Sequence, residues 1–239
     1  LYGQLSAKVD TVTNLPLAIN IAFATALVPA ISAAKAKNDR ETATKRTSFS
    51  LLTSMLIGLP CVVGMIVFAQ PILNLLYPNA KEGALLLQLI SVSVIFSILD
   101  QTINGALQGF GKVMIPATAL GIGCLVKLVL NIVLLKIPFF NVYGAAIGSI
   151  ACHAVAFTIV FNVLKKYVKL DLPLGKFVIK PAIATGIMSV CSYTLCVILK
   201  GIIPGNTATL IAMAFAVIVY IAAVLALKIY NREDIYMLP

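Results

Sequence analysis

Charge is what this sequence has least of. Only 11% of its 239 residues are charged, against 61% hydrophobic, and the mean hydropathy is +1.04. So few charges cannot cover the water-facing surface of a soluble domain this size, which excludes that class. Segments of about ten residues alternating between polar and apolar are also absent, which excludes a transmembrane β-barrel. Histidine occurs once, as His153, and there is no HExxH or GxSxG, so the common hydrolytic motifs are missing and no enzyme is expected. The five cysteines, Cys61, Cys124, Cys152, Cys191 and Cys196, show neither CxxC nor metal-ligand spacing. They read as small packing hydrophobes, and no metal or other cofactor is expected. His153 reads as a hydrogen bonder between helices.

What the sequence does have is long apolar runs. Seven stretches reach the ~18 apolar residues that suggest a membrane-spanning helix. They lie at about 11–34, 48–69, 84–108, 114–135, 143–164, 178–199 and 208–229. Backbone polar groups in lipid must bond internally, so the expected fold is an all-α polytopic membrane protein with seven transmembrane helices. The connections agree. Residues 35–46 and 165–176 are polar and basic, "GFGK" at 109–112 is a glycine turn, and 200–206 holds a Pro-Gly turn. Residues 70–83, with two prolines, are expected in the interface. Residues 136–144, with Pro138 and the aromatics Phe139, Phe140 and Tyr143, suit a headgroup boundary.

Alternate connections carry Lys35, Lys37, Arg40, Lys45 and Arg46, then Lys112, then Lys165, Lys166, Lys169 and Lys176, then Lys228 and Arg232. The other side holds only Lys8, Lys81, Lys136 and Lys200, while Lys127 and Lys180 fall within spans. The positive-inside rule then puts the start of the chain outside and the C-terminus in the cytoplasm. The net charge of +10 is a cytoplasmic rim facing anionic lipid, so no nucleic acid is needed as partner. An external Leu1 and an odd number of spans suggest a fragment of a longer membrane protein.

Polar residues inside the spans are the candidate functional groups. In the third span Ser93, Ser97, Asp100, Gln101, Asn104 and Gln108 fall within one ~100° sector of a helical wheel. Lipid cannot be what that stripe faces. Asp100 is near mid-membrane, where an acid costs ~2.5–3.5 kcal/mol on insertion scales. Lys127 and, one turn on, Asn131 are in the next span. Taking the two spans as antiparallel neighbours, Asp100 is ~13 Å and Lys127 ~21 Å from the inner end. The lysine stem leans inward, so the two are expected to interact directly or through water or Asn104. They are read either as a structural pair or as part of a transport path. The first span holds Thr11, Asn14 and Thr25 on one face with Lys8 and Asp10 just outside it. Pro16, Pro29 and Pro60 each delete a backbone donor and are candidate hinges.

Three stretches together resemble a known family. "NLPLAINIAFATALVPAIS" (14–32) with its basic loop, "GLPCVVGM" (58–65) and above all "ALQGFGKVMIPATALGIGCLVKLVLNIVLL" (106–135) are similar to the C-terminal lobe of lipid-linked sugar flippases. The last looks like the LQGxGK…P…G…VK…N signature of the stage V sporulation protein B branch, beside the lipid II flippases in the multidrug/oligosaccharidyl-lipid/polysaccharide exporter superfamily. "VYGAAIGSIACHAV" (142–155) looks like the family's G-A-A-I-G helix start. The resemblance implies helices eight to fourteen of a fourteen-helix protein of the bacterial cytoplasmic membrane. Residues 1–165 would supply five of the six helices of the C-terminal transport lobe, and 166–239 two additional C-terminal helices. The implied partners are the bilayer, a polyprenyl-linked glycan substrate and the missing N-terminal lobe. The implied activity is alternating-access flipping of that precursor for peptidoglycan or other polysaccharide in cell wall biogenesis or sporulation. Lys127 and Asn131 match VK…N, and Gln108, Gly109, Gly111 and Lys112 match the turn. Lipid II flippases carry a cavity-lining basic residue before the first proline. This sequence departs from that, with Thr11 there and Lys8 one turn earlier. The last two spans are read either as a groove for the lipid tail or as plain anchors. An alternative is a cation-coupled multidrug exporter with Asp100 as ion site, where Gln101 and Asn104 would be neutral ligands, although Phe96 and Phe110 are few aromatics for a drug site. A seven-helix receptor would want a proline and an NPxxY-like end in its last span, and neither is present.

Overall fold

The computed structural model describes residues 2–77, 83–137, 141–170 and 172–229, with the backbone alone for 2–7, 141 and 142. Lys81, Pro138, Phe139, Phe140 and Arg232, and with them part of the expected interfacial segments, lie outside the described residues. The helices are α1 (Tyr2–Ala36), α2 (Arg40–Val67), α3 (Ala69–Leu76), α4 (Ala84–Gly109), α5 (Met114–Leu134), α6 (Asn141–Tyr167), α7 (Lys180–Lys200) and α8 (Gly205–Ala226). A π-helical turn, Gly175–Ile179, leads into α7. Among the described residues seven helices are long and apolar enough to cross a membrane, as the hydropathy pattern predicts.

Two ends differ from the expectation. Helix α1 begins at Tyr2, so Lys8 and Asp10 are helical and not outside it. Hydrophobic thickness limits where a helix meets lipid and sets no limit on where it ends. Helix α2 begins at Arg40, well before its apolar run, because Asp39 caps it: Thr42 donates its N–H to Oδ1 (2.9 Å) and its hydroxyl to Oδ2 (2.6 Å). Those two hydrogen bonds hold the Asp39 carboxyl below its ordinary value. At the end of α4 the chain reverses through Gly111, whose φ of +73° suits a residue without Cβ.

Helices α2 and α4 form the centre, and α4 packs on α1, α2 and α6. The consecutive residues Leu51–Leu56 of α2 are all buried. Among the described residues apolar packing forms two large clusters and a small third one of Leu52, Leu56 and Ile229. One large cluster joins Val9, Val62, Phe68, Leu87 and Ile98, and the other Ile31, Leu51, Ile103, Leu107 and Leu164. Lipid gives helices no hydrophobic reason to associate, so close approach of small residues matters more than in water. A Cβ on Gly105 would collide with the Ala24 carbonyl of α1, and one on Gly109 would lie 2.7 Å from Ile31 Cβ. These two glycines, four apart, seat α4 on α1.

Helix α5 seats on α6 in the same way. A Cβ on Gly123 would lie 2.5 Å from the Cys152 carbonyl, and one on Gly144 2.8 Å from Leu134 Cβ. The outcome corrects the expected pairing of the third and fourth spans: α5 packs on α6, α6 packs on α4, and α5 barely touches α4. Only Ala119 and Gly123 of α5 are buried. Helices α7 and α8 pack together, α7 against α2 and α8 against α3. Tyr220 donates to the Leu56 carbonyl (2.7 Å), and Lys180 at the start of α7 donates to the Leu227 carbonyl just past α8 (3.0 Å).

Candidate functional site

Where the two large apolar clusters meet lies a polar belt. Asn20 of α1 is fully buried, and its Nδ2 donates to the Ile98 carbonyl (2.9 Å), Gln101 Oε1 (3.1 Å) and Thr102 Oγ1 (3.3 Å). The Thr102 and Ser54 hydroxyls are 2.6 Å apart. This ties α1, α4 and α2 at one level. Sequence reasoning missed Asn20, Ser54 and Thr102. An asparagine in the middle of "LAINIAFA" was the available signal, because an amide inside a span needs a partner.

The six-residue stripe of α4 divides its tasks. Ser93, Ser97 and Asp100 are buried, Gln101 and Asn104 half-buried, and Gln108 exposed. Ser93 and Ser97 donate back to their own helix, at Ile90 O (2.7 Å) and Ser93 O (3.0 Å). Gln101 belongs to the belt. Asn104 Nδ2 donates to Asp100 Oδ2 (3.3 Å), while Asp100 Oδ1 and Asn104 Oδ1 have no partner.

Lys127 and Asn131 sit one turn apart on α5, directed at α6. Asn131 Oδ1 and, at 3.4 Å, Lys127 Cγ meet the position a Cβ on Gly148 would take. The expected direct pair of Asp100 with Lys127 does not form: neither residue makes an ion pair within 4 Å among the described residues. The physical reason is the interposed α6. Its Cys152 is within electrostatic reach of both charges, and His153 within reach of Lys127. Lys127, Asn131, Leu128 and Lys136 line an open groove of about 470 Å³ along α5. Phe96 of α4 meets Phe157 of α6 at 6.0 Å, Phe157 stacks on Phe161 at 5.3 Å, and Lys165 Nζ is 4.4 Å from the Phe161 centroid. Aromatic side chains are therefore more concentrated here than Phe96 and Phe110 alone implied.

The α1 candidates are not brought to this group. Lys8 lies over the Tyr77 ring at 5.0 Å, and Thr11, Asn14 and Thr25 are on the exposed side of α1, which packs on α4 and α2. Of the candidate hinges, Pro16 and Pro60 line an apolar cavity of about 550 Å³ bounded by α1, α2, α3, α7 and α8, with Phe68, Met188, Met213 and Tyr220 on its walls. Pro29 is exposed near the end of α1.

Among the described residues, therefore, Lys127 stands inside a span without an ion pair, with the Asn131 amide one turn away and the buried carboxylate of Asp100 on the far side of α6. Comparison with known proteins gives the family. Residues 7–133 match the MatE family model. The chain belongs to the MatE family. Among curated proteins of Bacillus subtilis (strain 168), the MatE chain is 34% identical to the uncharacterized membrane protein YabM over 56% of its own length and 25% of YabM. It is 27% identical to the lipid II flippase MurJ over 63% of its length and 29% of MurJ. It is 22% identical to stage V sporulation protein B over its whole length and 46% of that protein. The chain thus spans at most about half the length of these relatives. A solved structure of lipid II flippase MurJ in an inward closed conformation superposes with a TM-score of 0.71 at 18% identity, over 93% of this chain and 47% of that one. An outward-facing MATE-family multidrug resistance transporter of the MOP superfamily gives 0.56 at 18% identity, over 98% and 58%. At such identities the likeness is one of fold.

Proposed function

We propose that this chain is most of the C-terminal half of a flippase, which moves a polyprenyl-linked glycan precursor across the bacterial cytoplasmic membrane by alternating access. The start of the chain is outside and its C-terminus in the cytoplasm. Residues 1–165 belong to the transport lobe and face an N-terminal lobe of the same protein. Residues 166–239 add two helices. The observation that carries the reading is Lys127. An ammonium held in mid-span without an acidic partner among the described residues is a point charge for an anionic phosphate, and Asn131 beside it offers a hydrogen bond to the same headgroup. The apolar cavity behind Pro16 and Pro60 has the lining to hold a lipid tail while the headgroup crosses. Lys8, Thr11 and Asn14 would act on the N-terminal-lobe side of that path. The decisive experiment measures translocation of a labelled polyprenyl-diphosphate glycan in proteoliposomes. Transport that survives Lys127→Gln undiminished would end this assignment of the site.

A second reading has its own observation. Asp100 keeps one carboxylate oxygen unpartnered beside Asn104 and near Gln101, as a cation-coupled multidrug exporter would require, and the Phe96–Phe157–Phe161 row supplies aromatic surface. Efflux of a cationic dye that follows an imposed sodium or proton gradient, and is lost in Asp100→Asn, would favour it. Glycan transport insensitive to Asp100→Asn favours the flippase.

A further inference from the structure

At the basic end of the bundle the α1–α2 turn, the α4–α5 turn and the end of α6 enclose a cavity of about 240 Å³ that is separate from the site above. Its walls include Lys35 and Arg40, on either side of the α1–α2 turn, and Lys166 at the end of α6, with Asp39, Phe110 and Tyr167. Lys35 Nζ spends one donor on the Phe110 carbonyl (2.9 Å) and has two more. The carboxylate of Asp39 is engaged by Thr42 and makes no ion pair with Lys35, Arg40 or Lys166. Three cations therefore converge with one occupied acid among them. The Phe110 and Tyr167 rings stack at 6.0 Å, with Lys112 Nζ 5.7 Å from the Tyr167 centroid. Just beyond the turn, Val113 and Met114 are 59% and 73% exposed. An aromatic pair beside bare apolar side chains at the end of spanning helices marks the level of lipid headgroups. Water-soluble anions have no use for that apolar margin, whereas an acyl chain does.

We propose that this cavity binds the phosphodiester headgroup of an anionic membrane lipid, with Lys35, Arg40 and Lys166 around the phosphate and the acyl chains along Val113 and Met114. Basic pockets between spanning helices take acidic headgroups for this electrostatic reason. A bound lipid would bridge α1, α2, α4 and α6 at that end, so their packing there depends on the charge of the leaflet. The inference does not rest on the flippase reading.

Native mass spectrometry of the full chain, purified in detergent and offered equal amounts of phosphatidylglycerol and phosphatidylcholine, tests it. One phosphatidylglycerol should be retained in preference. Arg40→Gln with Lys166→Gln should weaken it about 25-fold, at about fivefold per cation. Lys37→Gln with Arg46→Gln removes two exposed cations outside the cavity and should leave the preference intact, as should Lys127→Gln. Equal retention of the two lipids by the unaltered chain overturns the proposal, as does equal loss in the Lys37/Arg46 variant. Loss in Lys127→Gln would place the lipid on the transport path instead. Displacement of the lipid by millimolar inorganic phosphate would make the cavity a site for a soluble anion, and the lipid assignment would fall.

Discussion

Gly121 and Gly123 are two residues apart on α5, and the structure assigns them opposite responses to alanine. A Cβ on Gly121 meets nothing within 4 Å, whereas one on Gly123 would lie 2.5 Å from the Cys152 carbonyl oxygen and 3.2 Å from its Sγ. Ordinary carbon–oxygen contacts stop near 3.3 Å, so α5 and α6 must part by ~0.8 Å, and a backbone carbonyl cannot rotate aside. Gaps of 0.5–1 Å forfeit about a quarter to a half of each dispersion contact. Since α5 is held to the protein almost entirely by α6, no other helix compensates. Overpacking of this kind costs ~1–3 kcal/mol. Gly121→Ala should be neutral or slightly stabilising, since glycine is ~0.8–1 kcal/mol worse than alanine inside a helix. In a detergent thermal-unfolding assay, Gly123→Ala should melt about 2–12 °C below Gly121→Ala, at about 2–4 °C per kcal/mol for a chain of this size. Gly123, Lys127 and Asn131 succeed one another at four-residue intervals on one helix face. The same shift therefore draws the ammonium and the amide away from α6, and transport should fall with stability. Equal melting of the two variants would refute the packing of α5 on α6 and, with it, the geometry of the site.

Asn20→Leu leaves Gln101 and Thr102 without their shared donor. Interhelical hydrogen bonds in membranes average ~0.6 and reach ~1.7 kcal/mol, so melting should drop by about 1–7 °C; an unchanged midpoint would deny the belt its role. Lys127→Gln should cut translocation about tenfold or more, the worth of one charge-assisted hydrogen bond, without lowering the melting temperature. A variant that simply unfolds would show Lys127 to be a packing residue. Asp39→Ala should lower stability at neutral pH. Because the folded-state value of Asp39 is depressed, its contribution is full above the ordinary value of 3.8 and fades as pH falls through the lower folded-state value. The variant and the unaltered protein should converge only in that acid range, which pH-resolved melting would reveal.

The spans were legible because lipid imposes one rule on every residue of a crossing helix, and a hydropathy window measures that rule directly. The buried side of α4 was legible for a related reason: Ser93, Ser97 and Asp100 share a face and avoid lipid together. Helix neighbours were not. Short turns make consecutive spans look adjacent, yet α5 follows α4 and leaves it for α6. What decides this is shape, through Gly123 on one side and Gly144 and Gly148 on the other. Their spacing, like that of Gly105 and Gly109, was present in the sequence as small residues four apart, a pattern that marks close approach without naming the partner. The direct Asp100–Lys127 pair failed for this reason alone. Asn20 was not legible as a site residue because it works by reaching across to another helix, a partner that its own helix face does not name.

The polar groups inside this bundle fall into two kinds, and the difference bears on function. The Asn20 amide nitrogen, Gln101, Thr102 and Ser54 engage one another, which is how a buried network rigidifies a junction. Asp100 Oδ1, Asn104 Oδ1, Asn131 Oδ1 and His153 Nδ1 are buried atoms without a partner, spread over α4, α5 and α6. Asn20 Oδ1 and Ser48 Oγ are the others of this kind among the described residues. Each such atom costs ~1–3 kcal/mol if nothing meets it. A bundle needing only to cohere would place leucine or alanine at these positions at no such cost. Whether the unmatched acceptors on α4, α5 and α6 serve packing or a solute is open to direct test. Substituting Asn104 and Asn131 by leucine separates the two. If they serve packing, the variants lose stability and function together. If they serve a passing headgroup, stability holds or rises while translocation is lost.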